Sequence, residues 1–322
     1  MSFVAGKNIL ITGATGGIGE ALALQLSALK PATIFVAARS ADKGKAAVEA
    51  FKAAGAADAV VVMGDLSSKA GVNSIISGVR ESGKPLHILI ANAGAWNTRD
   101  EGRVTTKDGL EFHFQTNFLS CVQLMKGLMN LLEKSGPSRV IVTGGYGVID
   151  PKLIPVEGLM QTGMDDLQFE KSKVTSGLGP NKFNNDLSYG QSKLLELMYL
   201  KKYITESPKK VTIIVWDPGA TASNIGAWPM LKEKMGTVAV SMLQFVLGVR
   251  AATTSCKVGV WCCDSPEAAN AHGTYVEWGV SGALKKNVPV PLGWFPSYFK
   301  YAPAAMDDDK VNEVYKKANA ML

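Results

Sequence analysis

Two side chains four residues apart could move a proton. Tyr189 and Lys193, in Tyr189-Gly190-Gln191-Ser192-Lys193, fall on one face of a helix expected over about 186–205. A phenol ionises near pH ~10, and an ammonium beside it favours the ionised form. Such a tyrosine can give a proton to a carbonyl oxygen as hydride reaches the carbon, or take one back. Many helices carry this pair by chance, so its weight depends on its surroundings. A second chemical signal is Thr12-Gly13-Ala14-Thr15-Gly16-Gly17-Ile18-Gly19, set between an apolar run and a helix starting near Gly17. Glycines in such a turn let backbone N–H groups close on a pyrophosphate, and the helix N-terminus adds the positive end of its dipole. Gly13, Thr15, Gly16, Gly17, Ile18 and Gly19 are the expected contacts. About twenty residues further on, a carboxylate would bind the ribose 2′-hydroxyl of NAD. The chain has Ala37-Ala38-Arg39-Ser40 there, and the Arg39 fork suits a 2′-phosphate, with Lys43 adding charge. NADP(H) is the expected cofactor.

These groups need a frame. Residues 8–11, 33–37, 60–63, 88–91, 140–142 and 212–216 are continuous apolar runs rather than alternating ones, as in parallel strands covered by helices on both faces. Between them apolar residues recur at helical spacing, as at Ile18, Ala21, Leu22, Leu26 and Leu29, and Ser67 reads as the N-cap of a helix over 68–82. The alternation predicts an α/β fold, a doubly wound parallel sheet (Rossmann fold), in a single domain over 1–322. Two stretches break the rhythm. Residues 146–188 are rich in glycine and proline and form an insertion loop, read as a lid or substrate wall. Residues 225–322, with Trp228, Met230, Met235 and Met242, read either as a packed C-terminal lobe or as an apolar pocket on the substrate side.

Taken in order, these residues resemble the short-chain dehydrogenase/reductase family over nearly the whole chain. The glycine turn is similar to that family's cofactor loop, Asp65-Leu66 to its adenine contact, and Asn92-Ala93-Gly94 to the motif supporting the sheet after the fourth strand. Asn117, in Gln115-Thr116-Asn117-Phe118, matches the helix asparagine that anchors a proton-relay water. Tyr189 and Lys193 match the active-site pair. Pro218-Gly219 resembles the turn after the sixth strand, and Ser223 stands where a threonine contacts the nicotinamide amide. The resemblance implies that Lys193 also binds the nicotinamide ribose. Ala38-Arg39, the long lead-in to Tyr189, and Ser265-Pro266-Glu267 ahead of Gly273-Thr274-Tyr275 are similar to the retinol-dehydrogenase-like and protochlorophyllide-reductase-like branch, whose substrates are apolar.

One position departs from the family. Laying Arg139-Val140-Ile141-Val142-Thr143-Gly144-Gly145 on its fifth-strand motif puts Gly145 where a serine hydrogen-bonds the substrate carbonyl. Losing one donor to a developing oxyanion typically costs ~3–4 kcal/mol. Thr143, Tyr146 and the hydroxyls of 147–188 are the candidate replacements, with Tyr146 preferred.

Composition closes off other classes. The 322 residues carry 34 Lys and Arg against 28 Asp and Glu, with 47% hydrophobic and 19% charged residues, which excludes a disordered chain. The basic residues fall in scattered pairs such as Lys201-Lys202 and Lys285-Lys286, a solvated surface and not a nucleic-acid footprint. Four cysteines without CxxC spacing, and His87, His113 and His272 in unrelated contexts, predict neither a disulfide framework nor a metal site. The start of the chain runs straight into a strand with no room for a signal peptide, and a cytoplasmic protein is expected. The apolar stretch 236–249 is shorter than the ~18 residues that span a bilayer and reads as a buried helix or a shallow peripheral membrane contact. Oligomeric state is left open. The expected activity is NADP(H)-dependent hydride transfer to or from a carbonyl or alcohol of an apolar small molecule. The missing serine keeps two alternatives: reduction of a conjugated C=C bond of an enone, or a weakened NADP(H)-binding sensor or scaffold.

Overall fold

Isoleucine and leucine face both sides of the first strand and send alternate side chains into two cores, Leu10 into one and Ile9 and Ile11 into the other. This is why the apolar runs are continuous. The computed structural model describes residues 2–97, 103–145, 185–219, 221–222, 250–277, 290–291 and 307–322. In chain order come β1 (Asn8–Thr12), α1 (Gly17–Ser27), β2 (Thr33–Ala38), α2 (Ala41–Ala53), β3 (Ala59–Met63), α3 (Lys69–Glu81) and β4 (Ile88–Ala91). A π-helical turn (Phe114–Leu119), α4 (Ser120–Lys134), β5 (Ser138–Thr143), α5 (Asn185–Glu206) and β6 (Val211–Asp217) follow. The C-terminal part holds β7 (Thr221–Ala222), β8 (Arg250–Ala251), α6 (Ala252–Ser255), α7 (Lys257–Asp264), β9 (Thr274–Glu277), β10 (Val290–Pro291) and α8 (Asp308–Ala320).

The main sheet runs β10-β9-β6-β5-β4-β1-β2-β3. All its neighbours pair in parallel except β10, which lies antiparallel to β9. The expected doubly wound fold in one domain is what the chain adopts. One core layer packs α3, α4, α5 and α8 against the sheet through residues such as Ile75, Leu128, Tyr199 and Val314. The other packs α1, α2 and α7 through Leu22, Phe51, Cys262 and the fully buried Trp216. The chain order reverses between β1 and β4, and ligands of open α/β sheets bind outside the carboxyl ends of the strands at such a point.

Some boundaries differ from expectation. Ser68, not Ser67, caps α3, because its hydroxyl accepts the Gly71 N–H at 3.1 Å while the Ser67 N–H is held by Asp65. After β4 the chain turns before its next helical segment begins. Gly109 turns at φ +76°, Thr105 bridges to Glu111, and the Glu111 carboxylate accepts the Phe114 N–H at 2.7 Å. The π-turn that follows carries Asn117, and such turns concentrate at functional sites. Of 225–322, residues 250–277 complete the sheet and its α1 side. Helix α8 lies on α5, with Tyr315 stacked on Tyr199 at 4.9 Å. Stretch 236–249, most of the 146–188 insertion, Tyr146 and Ser223 lie outside the described residues. Among the described residues no helix is long and apolar enough to cross a membrane, and no cluster suits a metal.

Candidate active site

The sequence-derived site residues in the described part of the chain lie on turns and helices at the carboxyl edge of the sheet. The first turn is built for close approach. Gly13 and Gly17 have φ of +70° and +59°, where a side chain would be strained. A Cβ on Gly19 would stand 2.2 Å from the Gly13 carbonyl oxygen and 2.5 Å from Asn92 Nδ2. Helices α2, α3 and α8 have side-chain caps at Ser40, Ser68 and Asp307, whereas α1 begins at Gly16 with none. Its first N–H groups, around Gly17, Ile18 and Gly19 and next to Thr15, are therefore left for an outside acceptor. This cradle fits a dinucleotide pyrophosphate. Arg39 stands exposed at the end of β2, as a 2′-phosphate contact requires. Asp65 and Leu66 follow β3 in the same rim, where the Asp65 carboxylate accepts the Ser67 N–H at 2.9 Å.

Asn92 ties three strands together. Its side-chain amide donates to the Thr12 carbonyl at 3.0 Å and accepts from the Thr143 hydroxyl at 3.3 Å. The backbone N–H groups of Asn92 and Ala93 both donate to the Thr12 hydroxyl. Thr143, one of the candidates to replace the missing serine, thus has its hydroxyl turned to Asn92 and away from that task. Asn117 closes on the segment after Gly94, accepting the Ala95 N–H at 2.7 Å and donating to the Ala95 carbonyl and the Ser192 hydroxyl, each at 3.0 Å. After β6, Gly219 turns at φ +67° beside Pro218 and donates its N–H to Asp217 Oδ1 at 2.7 Å. The Tyr275 hydroxyl donates to Asp217 Oδ2 at 2.6 Å.

Tyr189 and Lys193 share one face of α5, as their spacing requires. Lys193 Nζ donates to the Thr143 carbonyl at 2.8 Å and to Glu196 Oε2 at 3.1 Å, with both side chains under 5% exposed. Burial works against the ammonium, but the Glu196 and Tyr189 charges outweigh it and hold Lys193 above its ordinary range. Glu196 is itself raised by burial, opposed by Lys193. The phenol departs from the simple expectation. Burial raises Tyr189 above its ordinary value; Lys193 pulls it down, while Asp217 and Glu196 push it up. The ammonium's effect is present and outweighed, so the hydroxyl keeps its proton at neutral pH. A Cβ built on Gly145 would lie 3.4 Å from Tyr189 Oη. The slot that a serine would fill therefore opens directly on the phenol.

Sequence reasoning missed several neighbours. Trp96, two residues beyond Asn92-Ala93-Gly94, stacks on the Tyr189 ring at 4.7 Å and 8°. His113 meets that ring edge-on at 6.5 Å. Glu196, at i+3 from Lys193, was readable as a helix pair. Asp217 and Tyr275, far apart in sequence, are brought together by the pairing of β6 with β9.

A family model described as short chain dehydrogenase matches residues 7–148. Retinol dehydrogenase 14 of Homo sapiens is 27% identical over 292 residues, covering 84% of this chain and 77% of the relative. The chain is similar to the short-chain dehydrogenase/reductase family. Within the family it is similar to the retinol dehydrogenase branch, since retinol dehydrogenase 13 of Homo sapiens is also 26% identical over 290 residues, 89% of this chain and 80% of that one. Among solved structures, L-sorbose reductase from Gluconobacter frateurii, complexed with NADPH and L-sorbose, superposes with a TM-score of 0.63 at 20% identity. The match covers 88% of this chain and 98% of that one, and it shows the shared fold.

Proposed function

We propose that the chain is an NADP(H)-dependent carbonyl reductase or alcohol dehydrogenase acting on an apolar small molecule in the cytoplasm. The observation that carries this reading is the Tyr189–Lys193 pair beside Gly145, at the same sheet edge as the glycine cradle. The cradle would hold the pyrophosphate, Arg39 the 2′-phosphate, Asp65 and Leu66 the adenosine end, and Lys193 the nicotinamide ribose. A bound nicotinamide supplies or accepts a hydride. The protein's share is the proton. The protonated phenol donates from Oη to a carbonyl oxygen seated in the Gly145 slot, and Lys193 stabilises the phenolate that remains. Asn117 braces the segment after Gly94 against α5 through Ala95 and Ser192, and so fixes the floor below Tyr189. NADP-bound or NADPH-bound relatives of the same fold and retinol dehydrogenases of similar sequence support a nicotinamide cofactor and an apolar substrate.

Tyr189→Phe tests this reading on a panel of aldehydes, ketones and enones. NADPH affinity should stay within about twofold and turnover should fall ~10²–10⁴-fold. Full turnover by the variant would remove Tyr189 from the reaction. A second reading, reduction of a conjugated C=C bond, is favoured by Gly145 alone, because saturating an alkene needs no hydrogen bond from a serine to a carbonyl oxygen. Product analysis separates the two: an alcohol supports the first and a saturated ketone the second.

A further inference from the structure

His113 has no exposed surface and no part in the chemistry so far, yet both its ring nitrogens are occupied. Nε2 accepts the backbone N–H of Asn97 at 3.1 Å. A nitrogen that accepts a bond from an N–H carries no proton, so the ring proton sits on Nδ1. Nδ1 faces Glu111 Oε1 at 2.8 Å and the Ser188 hydroxyl at 3.1 Å. Glu111 is fully buried as well, and its second oxygen accepts the Phe114 N–H at 2.7 Å. The carboxylate therefore selects the ring tautomer and is itself fixed by the backbone ahead of the π-turn.

The partners of His113 decide its meaning. Asn97 is the residue after Trp96, and Ser188 is the residue before Tyr189. One imidazole thus ties together the two segments whose next residues stack face to face at 4.7 Å, and its own edge rests against the Tyr189 ring. The indole covers one face of the phenol ring, while Oη points toward the Gly145 slot.

We propose that His113 is a positioning residue for the reaction: its two ring nitrogens lock Trp96 against Tyr189 and so aim the phenolic hydroxyl at the slot left by Gly145. This rests on the reading of Tyr189 as proton carrier, but the lock itself can be measured without turnover. A misplacement of order 1 Å at a reacting group can cost ~10²-fold in rate. Breaking the lock should lower kcat and leave cofactor binding alone.

The test uses the full chain and three variants, His113→Leu, His113→Gln and Trp96→Phe. Glutamine offers one acceptor and one donor and can reproduce both bonds, whereas leucine offers neither. The near-UV circular dichroism band that Trp96→Phe removes reports the stack. It should be lost in His113→Leu and retained in His113→Gln, with NADPH affinity within about twofold of the parent in all three. On the best substrate of the carbonyl panel, His113→Leu should lose ~10–100-fold in kcat with little change in KM, and His113→Gln should recover most of it. A His113→Leu protein that keeps the Trp96 band, or a His113→Gln protein as impaired as the leucine variant, overturns the proposal. Retained activity in Tyr189→Phe would sink the functional reading alone, because the dichroism result stands by itself.

Discussion

The two ends of the candidate active site are built from different materials. At the cofactor end the decisive atoms belong to the backbone, with Gly13, Gly17 and Gly19 leaving room and the uncapped start of α1 offering N–H groups. At the proton end the decisive atoms are side chains from distant segments: Trp96, Glu111, His113, Tyr189, Lys193 and Glu196. A backbone cradle tolerates almost no added carbon but needs few partners. A side-chain cluster tolerates an altered position wherever a neighbour leaves space, but it depends on several contacts at once. The same residue type therefore answers substitution in opposite ways at the two ends.

Gly145 gives the largest expected effect. Serine there would place its Cβ 3.4 Å from Tyr189 Oη, an ordinary contact, and would restore a donor near the phenol. For a carbonyl substrate Gly145→Ser should raise kcat by ~10²-fold, within the range of a single oxyanion donor. For C=C reduction kcat should not change, so steady-state rates on a ketone and an enone decide between the readings. Gly19→Ala sits at the other pole. Its methyl carbon would lie 2.2 Å from the Gly13 carbonyl, backbone that cannot swing aside, so a loss of ~1–3 kcal/mol is expected in thermal or urea unfolding, together with weakened NADPH binding. Unchanged stability there would mean that the turn is looser than its geometry.

Arg39→Ala tests the outer rim of the cradle, where solvent screens the charge. NADPH affinity should fall ~10-fold while NADH affinity holds, and equal losses for both would leave Arg39 without its assigned role. The subtlest change is Glu196→Gln. The Glu196 charge raises the Tyr189 phenol, so removing it lowers that pKa. Carbonyl reduction requires the protonated phenol, and the alkaline limb of its kcat/KM profile should move to lower pH. A limb that stays put or moves up contradicts the coupling.

This contrast also explains what could be read from the chain alone. Gly13, Gly17 and Gly19 report steric necessity at fixed spacing after a strand, and continuous apolar runs report burial on both faces. The parallel sheet and the glycine turn were therefore legible. Tyr189 and Lys193 were legible because a helix brings i and i+4 together, and Glu196 could have been found the same way. His113 was not, because its meaning lies in hydrogen bonds to Asn97 and Ser188, one of them 75 residues away. The expectation for the Tyr189 phenol had the wrong net sign for a related reason. Lys193 is adjacent in sequence, but the burial and the Asp217 charge that outweigh it come from the folded surroundings. The cap of α3 was misplaced by one residue because Ser67 and Ser68 are chemically alike, and only the backbone decides which hydroxyl faces Gly71.

The most direct test of the central claim is isotope transfer. Incubating the protein with NADPH deuterated at the nicotinamide C4 and with the carbonyl panel should give an alcohol with deuterium on the carbon bearing the new hydroxyl, and Tyr189→Phe should slow its appearance without weakening NADPH binding. Tight NADPH binding with no label in any product, or labelled product formed at an unchanged rate by Tyr189→Phe, would contradict the account.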